Sequence, residues 1–113
     1  NQYMDFPYLV NKLKSMEGLP DVYICGNDWT AIQVMHAMQF LGHRIPEEVA
    51  FVGFDDINQS AKCNPPLTTI HTPKEQLGIA AANCLLTRIR SPKTPCVFSQ
   101  YSTELIIRES TDI

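Results

Sequence analysis

The sequence predicts an α/β domain with a doubly wound parallel sheet, and two observations support this fold class. Apolar residues recur at helical spacing in residues 6–16, 29–41 and 72–90. Between these segments, residues 21–26 and 49–54 form short continuous apolar runs, as in parallel strands that are covered on both faces. The order helix, strand, helix, strand is typical of a parallel sheet with covering helices.

The composition is that of an ordered globular chain. Of the 113 residues, 44% are hydrophobic and 19% are charged, and the formal net charge is −3. A core of useful size is therefore expected, and disorder is not. The lysines and arginines are scattered and form no basic face of the kind that binds DNA. No apolar run reaches the 18 residues of a membrane span, so we expect no membrane association.

The first two helices have clear limits. One face of the first helix carries apolar side chains at Phe6, Leu9, Val10, Leu13 and Met16, and Gly18 and Pro20 end it. The second helix follows the first strand directly, and Gly42 is well suited to its C-terminus. Its periodicity comes from Ile32, Met35, Ala37, Met38 and Leu41.

The second half of the sequence is less regular. Residues 58–66 look irregular, residues 67–70 extended, and residues 103–108 form a strand candidate together with the pair 97–98. The third helix is predicted to begin with a capping box in which Thr72 is the N-cap, followed by Pro73 and Glu75. It is expected to run to about residue 90, with an apolar face of Leu77, Ala80, Ala81, Cys84, Leu85 and Ile89.

Two polar pairs follow the first two strands. Asn27-Asp28 and Asp55-Asp56 stand where open α/β sheets bind ligands, beyond the carboxyl ends of the strands. Carboxylates and amides suit sugar hydroxyls, which both donate and accept hydrogen bonds. The alternative is structural: Asp28 is then a helix N-cap, and both aspartates of the second pair are turn formers. Trp29 either stacks on a sugar at the mouth of this cleft or packs internally.

Catalytic and metal chemistry find little support. His36, His43 and His71 are far apart in the sequence, and no serine or cysteine stands in a nucleophile elbow. The cysteines at positions 25, 63, 84 and 96 form no C-x-x-C pair, so reduced thiols are expected, with no metal site. No phosphate-binding glycine loop is present. We expect no enzyme activity and no cofactor.

Four segments in order resemble the signatures of LacI/GalR (lactose/galactose repressor) family transcription regulators. They are P-D-V-Y-I-C-G-N-D (20–28), H-R-I-P-E-E-V-A-F-V-G-F-D-D (43–56), N-P-P-L-T-T-I (64–70) and E-L-I-I-R-E-S (104–110). Order and spacing agree from about residue 5 to residue 110. Each motif is weak alone, whereas four in order across most of the chain are specific.

The resemblance implies the C-terminal part of a periplasmic-binding-protein-like effector domain. Residues of about 5–70 and 101–110 then form an incomplete C-terminal lobe, and about 72–95 supply a helix and a strand to the N-terminal lobe. Asn27 and Asp55 match effector-contacting positions of the family, and Thr72 matches a third that sometimes touches ligand. The DNA-binding headpiece, which contacts operator DNA, lies upstream in the family.

The resemblance also implies a cytoplasmic homodimer that responds to a sugar-like effector. Family dimers pack partly through the second helix, here through Ile32, Met35 and His36, and partly through the loop that holds Cys63. We expect Cys63 to stay reduced there. One alternative function is a periplasmic sugar-binding transport receptor of the same fold. Another is an enzyme or phospho-receiver on a small doubly wound sheet, which would need a phosphate loop, a metal cluster or a lysine after a third strand, and none of these is recognised in the sequence.

Overall fold

The computed structural model describes residues 5–113, which alternate between helices and short strands. In chain order the elements are α1 (Phe6–Lys14), β1 (Val22–Ile24), α2 (Asp28–Phe40), β2 (Ala50–Val52), β3 (Thr69–His71), α3 (Lys74–Arg90), β4 (Glu104–Ile106) and a 3-10 turn (Glu109–Thr111). Each helix and each of these strands falls within two or three residues of a predicted segment. The α/β fold class is confirmed.

The sheet grows outward from β2. β1 and β2 are parallel, with Tyr23 opposite Phe51. Beyond β2, single parallel bridges join Val52 to Thr68 and Asp55 to His71, so the segment of β3 continues the sheet. β4 pairs with β3 in the antiparallel sense. Three neighbouring segments therefore run parallel and place their carboxyl ends at one edge.

The core lies between α2 and β2. Its members are buried apolar residues from the helix, the strand and the loops beside them: Ala31, Ile32, Met35, Met38, Ile45, Val49, Phe51 and Leu67. α1 covers part of α2, and the rings of Phe6 and Phe40 meet edge to face with centroids 5.7 Å apart. β1 closes the side with Tyr23 stacked on Phe51 at 5.2 Å. This core fixes the start of α2 against the end of β2.

A buried serine joins the end of the chain to the sheet. The Ser110 hydroxyl donates to the Phe51 carbonyl at 2.6 Å and accepts from the Thr68 amide at 2.8 Å. The Ser110 amide donates to the Pro66 carbonyl at 2.9 Å. Ser110 is fully buried, and buried polar groups need such partners. Because its partners lie in β2 and before β3, the serine ties β2 to the segment that leads into β3.

Three predictions about local structure are wrong. Residues 97–98 form no strand, because nothing in the described chain pairs with them, and Phe98 is 88% exposed. The capping box does not form, since Pro73 is the N-cap residue of α3 and no side chain caps that helix. β1 is not a buried strand either: it stands at the edge of the sheet, and Ile24 is 78% exposed.

α3 contacts the segment that follows it, where Arg88 donates to the Thr94 carbonyl at 3.1 Å, but it contributes nothing to the core. None of its residues is buried, and its exposed apolar side chains include Leu77, Ile79, Leu85, Leu86 and Ile89. The molecule is accordingly elongated, with principal extents of 58 × 31 × 22 Å. Along residues 5–113, no helix is both long and apolar enough to cross a membrane.

Candidate functional site

Three of the polar segments predicted from the sequence meet at the carboxyl edge of the sheet. The Asp28 amide donates to the Phe54 carbonyl, and the Asp55 amide donates to the Ile70 carbonyl, both at 2.9 Å. The segments that carry Asn27, Asp55 and Thr72 are therefore consecutive neighbours along this edge. We call the edge formed by residues 27–28, 55–56 and 71–72 the strand-end edge.

Asn27, and not Asp28, caps α2. Asn27 is the N-cap of α2, and its Oδ1 accepts from the Thr30 amide at 2.8 Å. Asp28, predicted as the cap, is the first residue of the helix and is completely buried. Asn27 remains half-buried with its amide nitrogen as a further donor, so capping leaves it capable of binding a ligand.

The Asp28 carboxylate is the centre of a buried hydrogen-bond network. Oδ1 accepts from the Thr69 hydroxyl at 2.5 Å, and Oδ2 accepts from the Ser60 hydroxyl at 2.5 Å and the Ile57 amide at 3.0 Å. These three donors come from two segments, the turn of residues 57–60 and β3, and each buried donor needs a partner. Asp28 therefore fixes the loops of the strand-end edge and is not itself a ligand group.

The two aspartates of the second pair adopt left-handed backbone conformations, with φ of 108° at Asp55 and 51° at Asp56. Of the two side chains, only that of Asp56 has partners within the described chain. Asp56 Oδ1 accepts from Arg108 Nη2 at 2.7 Å, and Oδ2 lies 2.9 Å from His71 Nδ1. Burial opposes ionisation of Asp56, but Arg108 and His71 outweigh it, so the pKa of this carboxyl lies below its ordinary value.

Asp55 and Thr72 keep their side chains available. Within the described chain the Asp55 carboxylate has no hydrogen-bond or ion-pair partner, and the residue is half-buried. Thr72 is also half-buried, and since it does not cap α3, its hydroxyl is not committed to the helix. Thr72 contributes its carbonyl, which accepts from the Lys74 amide at 2.8 Å. A carboxylate and a hydroxyl thus remain for an external partner.

A second surface, which we call the α2 groove, has a volume of about 450 Å³. It is lined by Trp29, Ile32, His36, Gln59, Lys62, Cys63 and Asn64. Three residues predicted for a dimer interface therefore share one groove. Trp29, for which stacking in the cleft and internal packing were the alternatives, lines this groove and is 52% exposed. Met35 is only 1% exposed because it packs in the core, so the interface prediction was wrong for Met35.

Sequence reasoning missed Arg108 and Ser60, which hold the two aspartates Asp56 and Asp28, and Ser110, which ties the sheet together. Arg108 and Ser110 were quoted only as part of a motif, and Ser60 was placed in an irregular stretch. Their signal was present, because an arginine and a serine two residues apart after a strand are costly to bury unless paired. Their partners are separated by up to 59 positions in sequence, and local spacing carries no information on such pairs.

The cysteines and the acidic groups form no metal site in the part of the chain described. No three histidine, cysteine, aspartate or glutamate side chains come together there. All four thiols are free, and burial raises the pKa of Cys25 and of Cys63. Raised thiol pKa values slow oxidation and alkylation at neutral pH.

Comparison with known proteins identifies the family. Residues 2–111 match the periplasmic binding protein-like domain. Among curated proteins, the chain is 43% identical over 106 residues to the HTH-type transcriptional repressor PurR of Haemophilus influenzae, covering 89% of this chain and 31% of that protein. It is 37% identical over 101 residues to PurR of Aliivibrio salmonicida, covering 89% of this chain and 30% of that protein. The chain thus spans about a third of the length of these relatives.

Solved structures agree with this assignment. A LacI-type transcription regulator from Bifidobacterium animalis subsp. lactis superposes with a TM-score of 0.83 at 29% identity, over 95% of this chain and 39% of that one. The lac repressor dimer bound to operator and the anti-inducer ONPF gives 0.80 at 26% identity, over 94% and 32%. The CelR–cellobiose complex gives 0.79 at 28%, over 96% and 32%. The chain belongs to the periplasmic binding protein-like domain family, in the form that this domain takes in LacI/GalR transcription regulators.

Proposed function

We propose that this chain is the effector-binding and dimerisation part of a bacterial transcription regulator that acts in the cytoplasm. The observation that carries the proposal is the strand-end edge. There, the Asp55 carboxylate has no partner within the described chain and stands on the segment between those of Asn27 and Thr72. A half-buried carboxylate of this kind lacks only an external donor.

The chemistry of these groups favours a sugar-like effector. Asp55 accepts from hydroxyl groups, the Asn27 amide nitrogen donates, and the Thr72 hydroxyl does both. A hydrogen bond to a charged group contributes about 1.5–3 kcal/mol, so Asp55 dominates the set. The complex of CelR with cellobiose supports a carbohydrate ligand for a relative of this fold.

Regulation follows from effector binding at the strand-end edge of the sheet. An effector that binds one arrangement of two lobes better than another shifts the population between them. In the lac repressor structure a dimer holds both operator and an anti-inducer. This supports the proposal that effector binding and operator binding are separate functions of one dimer here. Operator contacts belong, on this proposal, to a headpiece upstream of the residues given, and we propose no enzyme activity for the chain.

The α2 groove supports the dimerisation part of the proposal. Ile32, His36 and Cys63 line it together, and its apolar floor is open to a second copy. Two copies related by a twofold axis would bring their grooves face to face. We call the full-length regulator that, on this proposal, contains this chain the parent protein. A covalent dimer of the parent protein on a non-reducing gel would contradict the reduced state that we propose for Cys63.

Calorimetric titration of the parent protein tests the effector site. The probes are glucose, galactose, ribose and cellobiose. Asp55→Ala should weaken binding of the tightest probe by roughly tenfold or more, since a charged acceptor is lost. Asp55→Gly removes the same carboxylate while tolerating the positive φ, which separates loss of a ligand group from backbone strain.

Asp21→Ala is the matched control, because Asp21 is an exposed aspartate away from the edge, and its affinity should match the parent's. Unchanged affinity in both Asp55 variants would remove Asp55 from the site. A parent that binds no probe would refute the sugar assignment. Sugar binding without any DNA binding by the parent would favour a transport receptor.

A further inference from the structure

We infer that Arg108 is a positioning residue of the effector site, acting through Asp56 on the direction of the Asp55 carboxylate. The inference rests on the proposed function and extends it to a residue that is remote in sequence. It begins with the backbone at Asp55 and Asp56, where two consecutive residues other than glycine have φ of 108° and 51°. L-residues adopt such angles only where the surroundings impose them.

Backbone contacts hold part of this turn, because the amides of Asp56 and Ile57 donate to the Thr69 hydroxyl at 3.4 Å and to Asp28 Oδ2 at 3.0 Å. The Asp56 side chain supplies the remaining contacts. Arg108 Nη2 donates to Asp56 Oδ1 at 2.7 Å, and the two side chains are only 19% and 18% exposed. His71 Nδ1 holds the other oxygen at 2.9 Å, but His71 is 47% exposed. Lys74 adds contacts from its ammonium group to the carbonyls of Asp55 and Asp56. The buried contact is the one from Arg108.

Arg108 is itself held rigidly, which is what a positioning residue requires. Its Nη1 donates to the Leu67 carbonyl at 2.8 Å, and its backbone amide donates to the Thr68 hydroxyl at 2.8 Å. The Thr68 hydroxyl in turn donates to the Arg108 carbonyl at 3.0 Å. One guanidinium therefore spans from the strand segment to the turn and fixes both with separate nitrogens.

Asp55 has no such hold on its own carboxylate. Its amide donates to Ile70, and its side chain has no partner among residues 5–113. The direction of that carboxylate thus depends on the turn, and the turn depends on the Asp56–Arg108 pair. Loss of the pair lets the two residues relax toward ordinary φ values and moves the ligand group away from the site.

The competing explanation is that Arg108 only stabilises the sheet, as Ser110 does two residues later. Ser110→Ala is therefore the matched control, since it removes contacts to Phe51 and Thr68 in the same region and touches neither aspartate. The test variants are Arg108→Gln, which removes the charge, and Arg108→Lys, which keeps it but cannot span both acceptors.

The first measurement needs no effector. In the parent protein, Arg108→Gln should speed hydrogen exchange at the amides of residues 55 and 56, and Ser110→Ala should leave exchange at these amides unchanged. Each variant is measured the same number of degrees below its own melting temperature. Equal exchange at these two amides in all variants would overturn the inference. Because no ligand is present, this result stands whether or not the sugar proposal holds.

The second measurement uses the tightest probe of the sugar panel. Arg108→Gln should weaken its affinity on the order of tenfold, Arg108→Lys should recover part of the loss, and Ser110→Ala should bind as the parent does. In the Asp55→Ala background, Arg108→Gln should have no further effect, because its route to the ligand is gone. Additive losses in the double variant would overturn the inference even if sugar binding itself is confirmed.

Discussion

Gly53 shows at the scale of one residue how the buried carboxylate shapes the backbone around it. A Cβ placed on Gly53 would lie 2.1 Å from Asp28 Oδ1 and 2.9 Å from Leu67 Cδ2. The glycine that precedes Phe54-Asp55-Asp56 in this sequence is therefore needed for packing, and its φ is ordinary. The absence of a side chain at Gly53 lets the Asp28 carboxylate accept hydrogen bonds from the hydroxyls of both Thr69 and Ser60.

Gly53→Ala should lower the free energy of unfolding by about 2–3 kcal/mol, since the added methyl group must displace a fully bonded buried carboxylate. Urea denaturation of the parent protein measures it. Gly26→Ala is the matched control, because a Cβ at Gly26 meets nothing within 4 Å. If both variants unfold at the same urea concentration, the close approach to Asp28 does not constrain the fold.

At the scale of the element, α2 shows what sequence patterns can and cannot predict. Its limits, the strands β1 and β2 and the position of the strand-end edge followed from apolar periodicity and from polar residues after strands. The roles of Asn27 and Asp28 did not follow from these patterns, because both residue types cap helices. Which of the two is the cap depends on which side chain is buried at the start of the helix. Asp28 is buried there by its hydrogen bonds from Ser60 and Thr69, which are distant in sequence.

The same limit explains the other errors. The interface was assigned to one face of α2, but periodicity does not tell a face that meets the sheet from a face that meets a partner. Met35 belongs to the first, whereas His36 is exposed and stays a prediction for the second. Residues 97–98 have strand-like composition without a neighbour to pair with. Contacts between distant segments decide all of these cases.

Substitution of Asn27 separates its two functions within α2. Asn27→Asp keeps an oxygen for the Thr30 amide, so the free energy of unfolding should stay within about 0.5 kcal/mol of the parent's, whereas Asn27→Ala should lower it by about 1 kcal/mol. Asn27→Asp also replaces the amide donor with an acceptor. Its affinity for the sugar probe should therefore fall, and full affinity would leave Asn27 as a cap only.

At the scale of the whole molecule, the elongated shape results from α3. The Cα radius of gyration is 18.5 Å, whereas a compact chain of this length has about 13 Å. The exposed apolar side chains of α3 form a surface of the kind that attracts a partner. The family resemblance predicts that residues 72–95 belong to the other lobe of a two-lobed protein, which would then be that partner.

The 113-residue chain alone should therefore self-associate through α3. Light scattering should give a mass that rises with concentration above the monomer value. Leu85→Lys with Ile89→Lys places two charges on the exposed apolar face and should restore the monomer, while Gln76→Lys, at an exposed polar position of the same helix, should not. A monodisperse monomer of the unmodified chain would show that α3 is satisfied without a partner.

The contact of Ser110 with Phe51 has a consequence for biosynthesis. The two residues are 59 positions apart, and Arg108 reaches back 52 positions to Asp56. Until the ribosome has added Arg108 and Ser110, the Asp56 carboxylate lacks the Arg108 contact and the Thr68 amide lacks the Ser110 contact. A nascent chain halted before residue 108 therefore contains all four strands, but it lacks both the Ser110 contact that ties β2 to the segment leading into β3 and the Arg108 contact to the turn at Asp56.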